Sequence, residues 1–593
     1  MDSYDKKHLE RPLTRDLPSS FSEYTRHLIQ QTKKEITWNK SYGENDDYNR
    51  NPGNYVTRVP SSDAKNPATI DAANTSDSVS SSKEEEEQHK NGTIRVAGSD
   101  LEAKQRGKKS FRSNLDVYWP IFTTGSGLFS DGYINASVGT VSTCLAQIYG
   151  DEYSKSKAIQ NVSSIAFVGI VVGQLSFGYI SDHHSRKFAM LLGNIILIVF
   201  SILAAGAWGV GTTSTKAGGL FAAITAYRFF LGVGIGSEYP SGSTAASEAS
   251  ALLPAKRRNR WFVWFTNFMI DWGFVIAALV PLILVCIFGE HRLQWVWRLT
   301  MGLGAIPPCS LFLMRMRFKE SKSFATSKFN KVMPYMLVLK FYWFRTIIIS
   351  IIWFLYNFSS YAFGIYSSLI IKNLLNKGGN ESPSLKDSFA WNVLFNAFYL
   401  PGSFLGAIFA DYIGPRLTLC LGLFVQAMFG IGMTCGFASL EKHIAAFTVI
   451  FGIFTSLGEF SVGDNVGLIA SKSYATPVRG TLYAISAAVG KIGAFSGTYA
   501  FPQIMKNAGG ADTTNGMRAP FWVATALCLF SCFIGFFMLP DLDPDAIIDE
   551  DRKFHEYLEQ SGYDMSSLGM HSDKSSDVEY TEDILKADSF EKN

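Results

Sequence analysis

The sequence predicts an all-α membrane protein, with twelve transmembrane helices in two pseudo-symmetric six-helix halves behind a disordered N-terminal tail. Three observations predict it. Charge gathers in residues 1–113 and 540–593, while the stretch between is apolar and rich in Gly and Phe. Apolar runs recur through that stretch at intervals suited to helices of about 20 residues, the length that crosses a bilayer. One loop pattern occurs twice, once in each half, as an internal duplication requires.

Taken in order, residues 1–113 hold no sustained apolar periodicity. The segment 61–91 has the polar, aromatic-poor make-up of a disordered chain. This region is expected to be a cytosolic tail, without catalytic content and suited to kinase or ubiquitin machinery. The opening MDSYDKKHLE lacks the apolar core of a signal peptide, so the first span is expected to direct insertion. Spans are expected near 118–141, 160–181, 188–208, 218–240, 262–288 and 295–313, forming an N-terminal half over 114–313. A basic central loop follows at 314–344. The second half, 345–540, carries spans near 345–370, 389–410, 416–436, 443–465, 480–504 and 520–540, and a tail occupies 541–593.

Positive residues report orientation. Arg186 and Lys187 follow span two, and Lys256, Arg257, Arg258 and Arg260 follow span four. The central loop holds Arg315, Arg317, Lys319 and Lys322, among others, and Arg416, Lys472 and Arg479 follow spans eight and ten. Both termini are therefore expected in the cytosol. A sequon at Asn380 falls in an outside loop, but Pro383 directly after it disfavours glycosylation. The net charge of +3, with no basic cluster interleaved with aromatics, gives no sign of nucleic-acid binding. The seven cysteines sit in or beside apolar runs as packing residues. Neither a metal site, a cofactor motif nor a nucleophile–base pair is evident, so an enzyme is not expected.

The duplicated loop reads Gly178-Tyr-Ile-Ser-Asp182-His-His-Ser-Arg186-Lys187 and Ala407-Ile-Phe-Ala-Asp411-Tyr-Ile-Gly414-Pro415-Arg416. In each copy a small residue one turn before the Asp lets two helices touch. The Asp and Arg are expected to lock the cytosolic face by pairing across helix ends. This pattern resembles the loop motif of the major facilitator superfamily.

Charges inside the apolar runs mark where chemistry happens, because each costs roughly 2.5–3.5 kcal/mol at mid-bilayer unless paired or wet. They are Asp131, Arg228, Glu238, Asp271, Glu459, Asp464 and Lys491. In RFFLGVGIGSEYPSGSTAASE (228–248), glycines bring helices close, and Pro240 disturbs the backbone beside Glu238. Arg228 lies on the same helix in a structural or coupling role. Asp131 and Glu238 are the candidate proton carriers, since a buried carboxylate can take and release a proton as its surroundings open. Steps of four place Trp353, Asn357 and Tyr361 on one helix face, a stripe suited to hydroxyls or a phosphate. Lys491, among Gly490, Gly493 and alanines, needs an anion: a substrate phosphate, or a standing partner in Asp464 or Asp131. Asp464 could also bind substrate hydroxyls.

With these residues assembled, the chain resembles the phosphate:proton symporter branch of the superfamily, and more closely the fungal glycerophosphoinositol permeases. The likeness runs from about Asp116 to Gly562. It rests on LFSDGYINAS, FVGIVVGQLSFGYISDHHSRK, GVGIGSEYPSGS, MPYMLVLKFYWFR, WFLYNFSSYAFGIYSS, ATPVRGTLYAISAAVGKIG and FHEYLEQSGY. By this resemblance Asp131 and Glu238 match proton-coupling carboxylates, while Tyr239, Trp353, Tyr361 and Lys491 match residues around a bound phosphate. Two positions depart from the pattern. Asn357 stands where an Asp is usual, and the span-five Gln of the phosphate symporters is replaced near Ile270 and Asp271. The resemblance implies a proton-coupled plasma-membrane importer of a small phosphodiester, glycerophosphoinositol first. Glycerophosphocholine or inorganic phosphate are the rival substrates, and a nutrient sensor is the rival class.

Overall fold

A computed structural model describes residues 15–16, 21–36, 118–213, 216–253, 256–329, 333–378, 384–510, 513–540, 542 and 546–564. All of them fall in one compact unit. Asn380 and the stretch 61–91 lie outside the described residues.

The described chain is helical. Helix α1 (Phe21–Ile36) precedes the bundle. The first half holds α2 (Phe129–Tyr149), entered through helical turns at 118–125 and Ser126–Leu128, then α3 (Ala158–His183), α4 (Arg186–Ala205) and α5 (Leu220–Ser237). It continues with α6 (Thr244–Ser250), α7 (Arg258–Phe265), α8 (Asn267–Phe288), α9 (Leu293–Leu303) and α10 (Ile306–Arg315). The second half holds α11 (Tyr335–Gly378), α12 (Leu385–Ala397), α13 (Tyr399–Tyr412), α14 (Pro415–Cys435) and α15 (Ile444–Gly458). It ends with α16 (Asp464–Lys472), α17 (Arg479–Asn507) and α18 (Thr514–Met538), and α19 (Ala546–Gln560) follows.

Among the described residues, ten helical stretches are long and apolar enough to cross a membrane. The other two expected spans, α2 and α17, are helices of 21 and 29 residues. They hold Asp131 and Lys491 among Gly, Ala, Ser and Thr, so they are less apolar than their neighbours. Large apolar side chains such as Ile202, Leu313 and Phe533 point outward, as a lipid-facing surface requires.

Two features bend the bundle where it matters. Between α5 and α6 the chain forms a π-helical segment, Glu238–Ser243, and between α15 and α16 it forms another, Glu459–Gly463. Such widened turns break the regular ladder and push side chains out of the helical stripe, which is why they gather at functional sites. Pro240, which has no N–H to donate, accommodates the first. The fifth span is divided at Thr266 (φ −120°, ψ −86°), whose hydroxyl donates back to the Phe262 carbonyl at 2.7 Å. That break starts α8 at Asn267, in the centre of the molecule.

Glycine sets the closest helix approaches. A Cβ on Gly232 of α5 would sit 2.1 Å from the Ala166 carbonyl oxygen of α3, and one on Gly497 of α17 would sit 1.9 Å from that of Phe358 on α11. Backbones this close replace the hydrophobic drive that lipid removes.

Two expectations for the ends of the halves change. Helix α11 runs unbroken from Tyr335, so the end of the expected loop 314–344 is helical. Arg315, grouped with the loop charges, is the fully buried last residue of α10. The N-terminal tail also contains structure. In α1, Gln31 and Glu35 are buried with Tyr24 and Leu28 half-buried on the same face, a helical spacing whose buried residues are largely polar. Apolar periodicity could not reveal it.

Candidate functional site

Helices from both halves converge on a central cavity of about 50 Å³, room for a few waters. Its lining includes Tyr239 from the first π segment, Asn267 from α8, and Trp353, Tyr356, Asn357 and Tyr361 from α11. Glu459, Asp464 and Tyr483 complete its far wall. The expected stripe on α11 therefore does face one space, and Tyr356 joins it because the cavity curves around that helix.

Lys491 and Asp131 stand one layer behind this lining. Lys491 Nζ lies 2.8 Å from Asp131 Oδ2, and both side chains are buried. The same carboxylate oxygen accepts from the Tyr239 hydroxyl and, at 2.9 Å, from the Tyr361 hydroxyl, while Asn135 donates to Oδ1 at 2.5 Å. Lys491 also donates to the Tyr361 hydroxyl, and its ammonium lies 4.0 Å from that ring's centroid and 5.1 Å from the Tyr239 centroid. Of the two standing partners considered for Lys491, Asp131 is the one in place. A pair this dry persists only because each charge is compensated; removing one partner costs about 3–5 kcal/mol. The arrangement joins α2 to α17, one from each half, and the two tyrosines separate it from the cavity.

Glu238 is held differently. Both its oxygens take a bond of 2.6 Å from the Arg315 guanidinium. Arg315 spends its remaining donors on the Thr123 and Thr124 carbonyls and on Asn194. This is a closed, fork-shaped pair within the first half. Arg228 also turns from the cavity, donating to the Val162 and Ile134 carbonyls at 2.7 and 3.2 Å, and so ties α5 to α3 and α2.

On the opposite wall, Asn267 Nδ2 bridges Glu459 Oε2 at 3.0 Å and Asp464 Oδ1 at 2.9 Å. Ser403 on α13 donates to the same Asp464 oxygen at 2.6 Å, and the Tyr356 hydroxyl donates to Glu459 Oε1 at 2.7 Å. Asp464 is thus not a partner of Lys491. Asn267 and Ser403 carry no charge and were not singled out by the sequence, whereas Tyr356 was expected only as part of an aromatic cage with Trp353 and Asp464. The only signal of Asn267 and Ser403 is a polar side chain inside an apolar run, which is too common to select them.

The duplicated motif forms locks, though not by Asp–Arg pairing within the motif. Asp182 accepts from the Gly480 and Thr481 amides at 3.0 and 2.6 Å, capping the start of α17 in the other half. Asp411 accepts from the Asn259 and Arg260 amides at 3.1 and 3.3 Å and pairs with Arg260 Nε at 2.5 Å, capping α7. Each Asp therefore joins the halves by holding a helix N-terminus. Gly178 permits one contact, since its Cβ would meet Ala484 Cβ at 2.6 Å. Arg186 pairs with Glu248 at 2.8 Å, and Arg479 from the second half shares that carboxylate at 3.0 Å. Lys187 donates from the exposed edge to the Met316 carbonyl. Arg416 pairs with Glu35 of α1 at 2.7 Å, so the tail helix takes part in the second lock.

Two duplicated halves, crossing helices with buried ion pairs and locks at one end define a membrane transporter rather than an enzyme. The sugar (and other) transporter family profile matches residues 120–332 and 327–545, and the chain belongs to that family. The chain is 51% identical to the major glycerophosphoinositol permease GIT3 of Candida albicans over 77% of its length and 84% of the relative's. It is 50% identical to the glycerophosphocholine permease GIT4 of the same organism, over 76% and 84%. In three dimensions it is similar to the proton:xylose symporter XylE, with a TM-score of 0.58 at 15% identity, covering 73% of this chain and 98% of that one. That likeness concerns the fold alone.

Proposed function

We propose that the protein imports glycerophosphodiesters, glycerophosphoinositol foremost, across the plasma membrane together with protons, with both termini in the cytosol. One observation carries the reading: a fully buried lysine between the two halves, neutralised by a carboxylate and hydrogen-bonded to the Tyr361 hydroxyl, partners that a phosphodiester could replace. A diester brings one negative charge. When Asp131 takes a proton, Lys491 loses its standing counter-ion and the arriving phosphate supplies another. Tyr239, Tyr361 and Trp353 line its approach, and Asn357 adds no competing charge. Asn267, Tyr356 and Asp464 offer hydrogen-bonding groups for a polyol at the other wall.

The two halves then rock about this centre. Opening towards the cytosol would part Asp182 from α17, Asp411 from α7, and Arg479 from Glu248. The tight Glu238–Arg315 fork supports a stable first half more readily than a proton relay. Asp131 is therefore the better placed of the two expected carriers.

A glycerophosphocholine headgroup is the second reading, supported by Glu459 and Asp464 lining the same cavity as the Tyr356 and Trp353 rings, a combination that suits a quaternary ammonium. The two similar permeases, at 51% and 50% identity, weigh equally on this choice.

The test is uptake in yeast lacking its own glycerophosphodiester and phosphate carriers. Labelled glycerophosphoinositol is offered at acidic and neutral pH against unlabelled glycerophosphocholine and phosphate, with the native protein and Asn357→Asp. Acid-stimulated uptake, competed by glycerophosphodiesters and not by phosphate, is expected. Uptake indifferent to external pH and membrane potential would remove the proton from the mechanism. Uptake by Asn357→Asp alone would favour a sensor.

A further inference from the structure

Asp271, Glu459 and Asp464 are three buried carboxylates with no Lys, Arg or His in salt-bridge contact among the described residues. Glu459 and Asp464 come from the second half, and Asp271 from α8 of the first. Asp271 has no hydrogen-bond partner on either oxygen, and Asp464 Oδ2 has none. The nearby Ser403 hydroxyl has a single proton, and donates it to Asp464 Oδ1. Elsewhere in the membrane region the picture differs: Asp131 has Lys491 and Glu238 has Arg315.

We infer that Asp271, Glu459 and Asp464 form a proton-carrying site across the interface of the two halves, and that its ionisation drives the halves apart. Three unneutralised carboxylates in a dry site cannot all be charged, because like charges in low dielectric repel and each loses its hydration. Protons are the ligand that satisfies them. With protons bound, the Asn267 bridge from α8 to Glu459 and Asp464 holds the halves together. With protons lost, Asp271 on one half repels Glu459 and Asp464 on the other.

The groups that face this site come from α8, α11 and α13. Tyr356 and Tyr361 face it from α11, Tyr399 and Ser403 from α13, and Asn267 from α8. The Asp131–Lys491 pair lies beyond Tyr361. Asp411 and Lys472, on neighbouring helices, are engaged at the locked end with Arg260 and Asn259. The inference rests on the proposed transport of a glycerophosphodiester.

The test uses purified full-length protein in liposomes loaded with a pH-sensitive dye, with labelled glycerophosphoinositol and glycerophosphocholine as separate probes. Wild type is expected to admit protons on substrate addition, with about tenfold accumulation per unit of pH gradient for one co-transported proton. Glu459→Gln combined with Asp464→Asn is expected to lower substrate-driven proton entry to the part that Asp131 carries. Asp271→Asn does not touch the cavity lining. It is expected to keep substrate exchange and to move the pH midpoint of accumulation towards acid, since removing a like charge lets its neighbours ionise more readily. A merely structural change would not move that midpoint in a fixed direction. If the double variant fails to assemble, the Asp271→Asn midpoint decides alone.

Unchanged proton entry in the double variant, or an unmoved midpoint in Asp271→Asn, would overturn the inference while leaving the transport reading intact. Substrate movement without proton entry in wild type would overturn the inference and the coupling together. No movement of either probe would overturn the transport reading itself, and the inference with it.

Discussion

The two π segments occupy matching places in the two halves, and each begins with a glutamate, yet they are finished in opposite ways. Glu238 receives both arms of Arg315, whose other donors are saturated by backbone carbonyls and Asn194. Glu459 receives only neutral donors, from Tyr356 and Asn267, beside two further carboxylates. The first is a closed account of charge and fixes its helices. The second is incomplete, and its state depends on protons. Pseudo-symmetry in the backbone therefore does not carry over to the electrostatics, and the asymmetry tells which half supplies rigidity and which responds.

The largest expected effect comes from breaking the closed pair. Glu238→Gln leaves the Arg315 guanidinium buried without its anion, at about 3–5 kcal/mol. Expression and thermal stability in detergent should both collapse. Removing both charges together, as Glu238→Leu with Arg315→Leu, should restore much of that stability, because paired apolar replacements often match a buried ion pair. Glu459→Gln orphans no cation and should leave the melting temperature within a few degrees of wild type. If Glu459→Gln were as damaging as Glu238→Gln, the contrast between the two bends would be lost.

How far the sequence announced this contrast can be followed residue by residue. The spans, the duplicated motif and the inward charges were all legible, because apolar length and intramembrane charge are strong local signals. Asp131, Lys491, Tyr239 and Tyr361 meet as a group; Asp131, Lys491 and Tyr361 announce themselves as charges in an apolar run or by their place on one helix face, whereas Tyr239 was named only by the family resemblance. Arg315 did not, since a basic residue next to a basic loop reads as part of that loop. Only the fold carries it inward to Glu238. Asn267 was hidden for another reason: the break at Thr266 that aims it into the cavity follows from a back-bonded backbone, which composition does not encode.

A smaller effect is expected at the locked end. Glu550 on α19 is buried between Arg15 and Arg345, at 2.8 and 3.0 Å. Burial alone would raise its carboxyl, but the two arginines, with Lys553 further out, outweigh that and hold it down to about 2. A carboxyl depressed in the folded state stabilises fully above its ordinary value of 4.5 and loses that contribution as pH falls towards 2. The difference corresponds to roughly 3 kcal/mol at neutral pH. Melting temperatures should therefore hold steady from pH 7 to about 5 and fall below that, with Glu550→Gln removing this part of the slope. Acid-stimulated transport would thus operate where the clamp remains intact.

The smallest effect separates the two copies of the loop motif. In the first, Arg186 finds Glu248, ten residues beyond Glu238 on the same stretch of chain. Counting the same distance from Glu459 reaches Ile469, which offers no charge. Arg416 instead takes Glu35 from α1, a segment outside the duplicated halves, and Tyr24 of the same helix donates to the Phe537 carbonyl at 2.7 Å. The second lock is therefore completed by a detachable piece. Glu35→Gln should release α1 without unfolding the bundle, because Arg416 keeps the Phe536 carbonyl at 2.8 Å and water can reach it once the helix departs. Limited proteolysis should cut the N-terminal segment severalfold faster in Glu35→Gln, with the melting temperature of the bundle nearly unchanged. Arg416→Gln should do the same to the tail. Equal protection of the tail in native and variant proteins would mean that α1 is held by its other contacts, and that the two locks differ less than their carboxylates do.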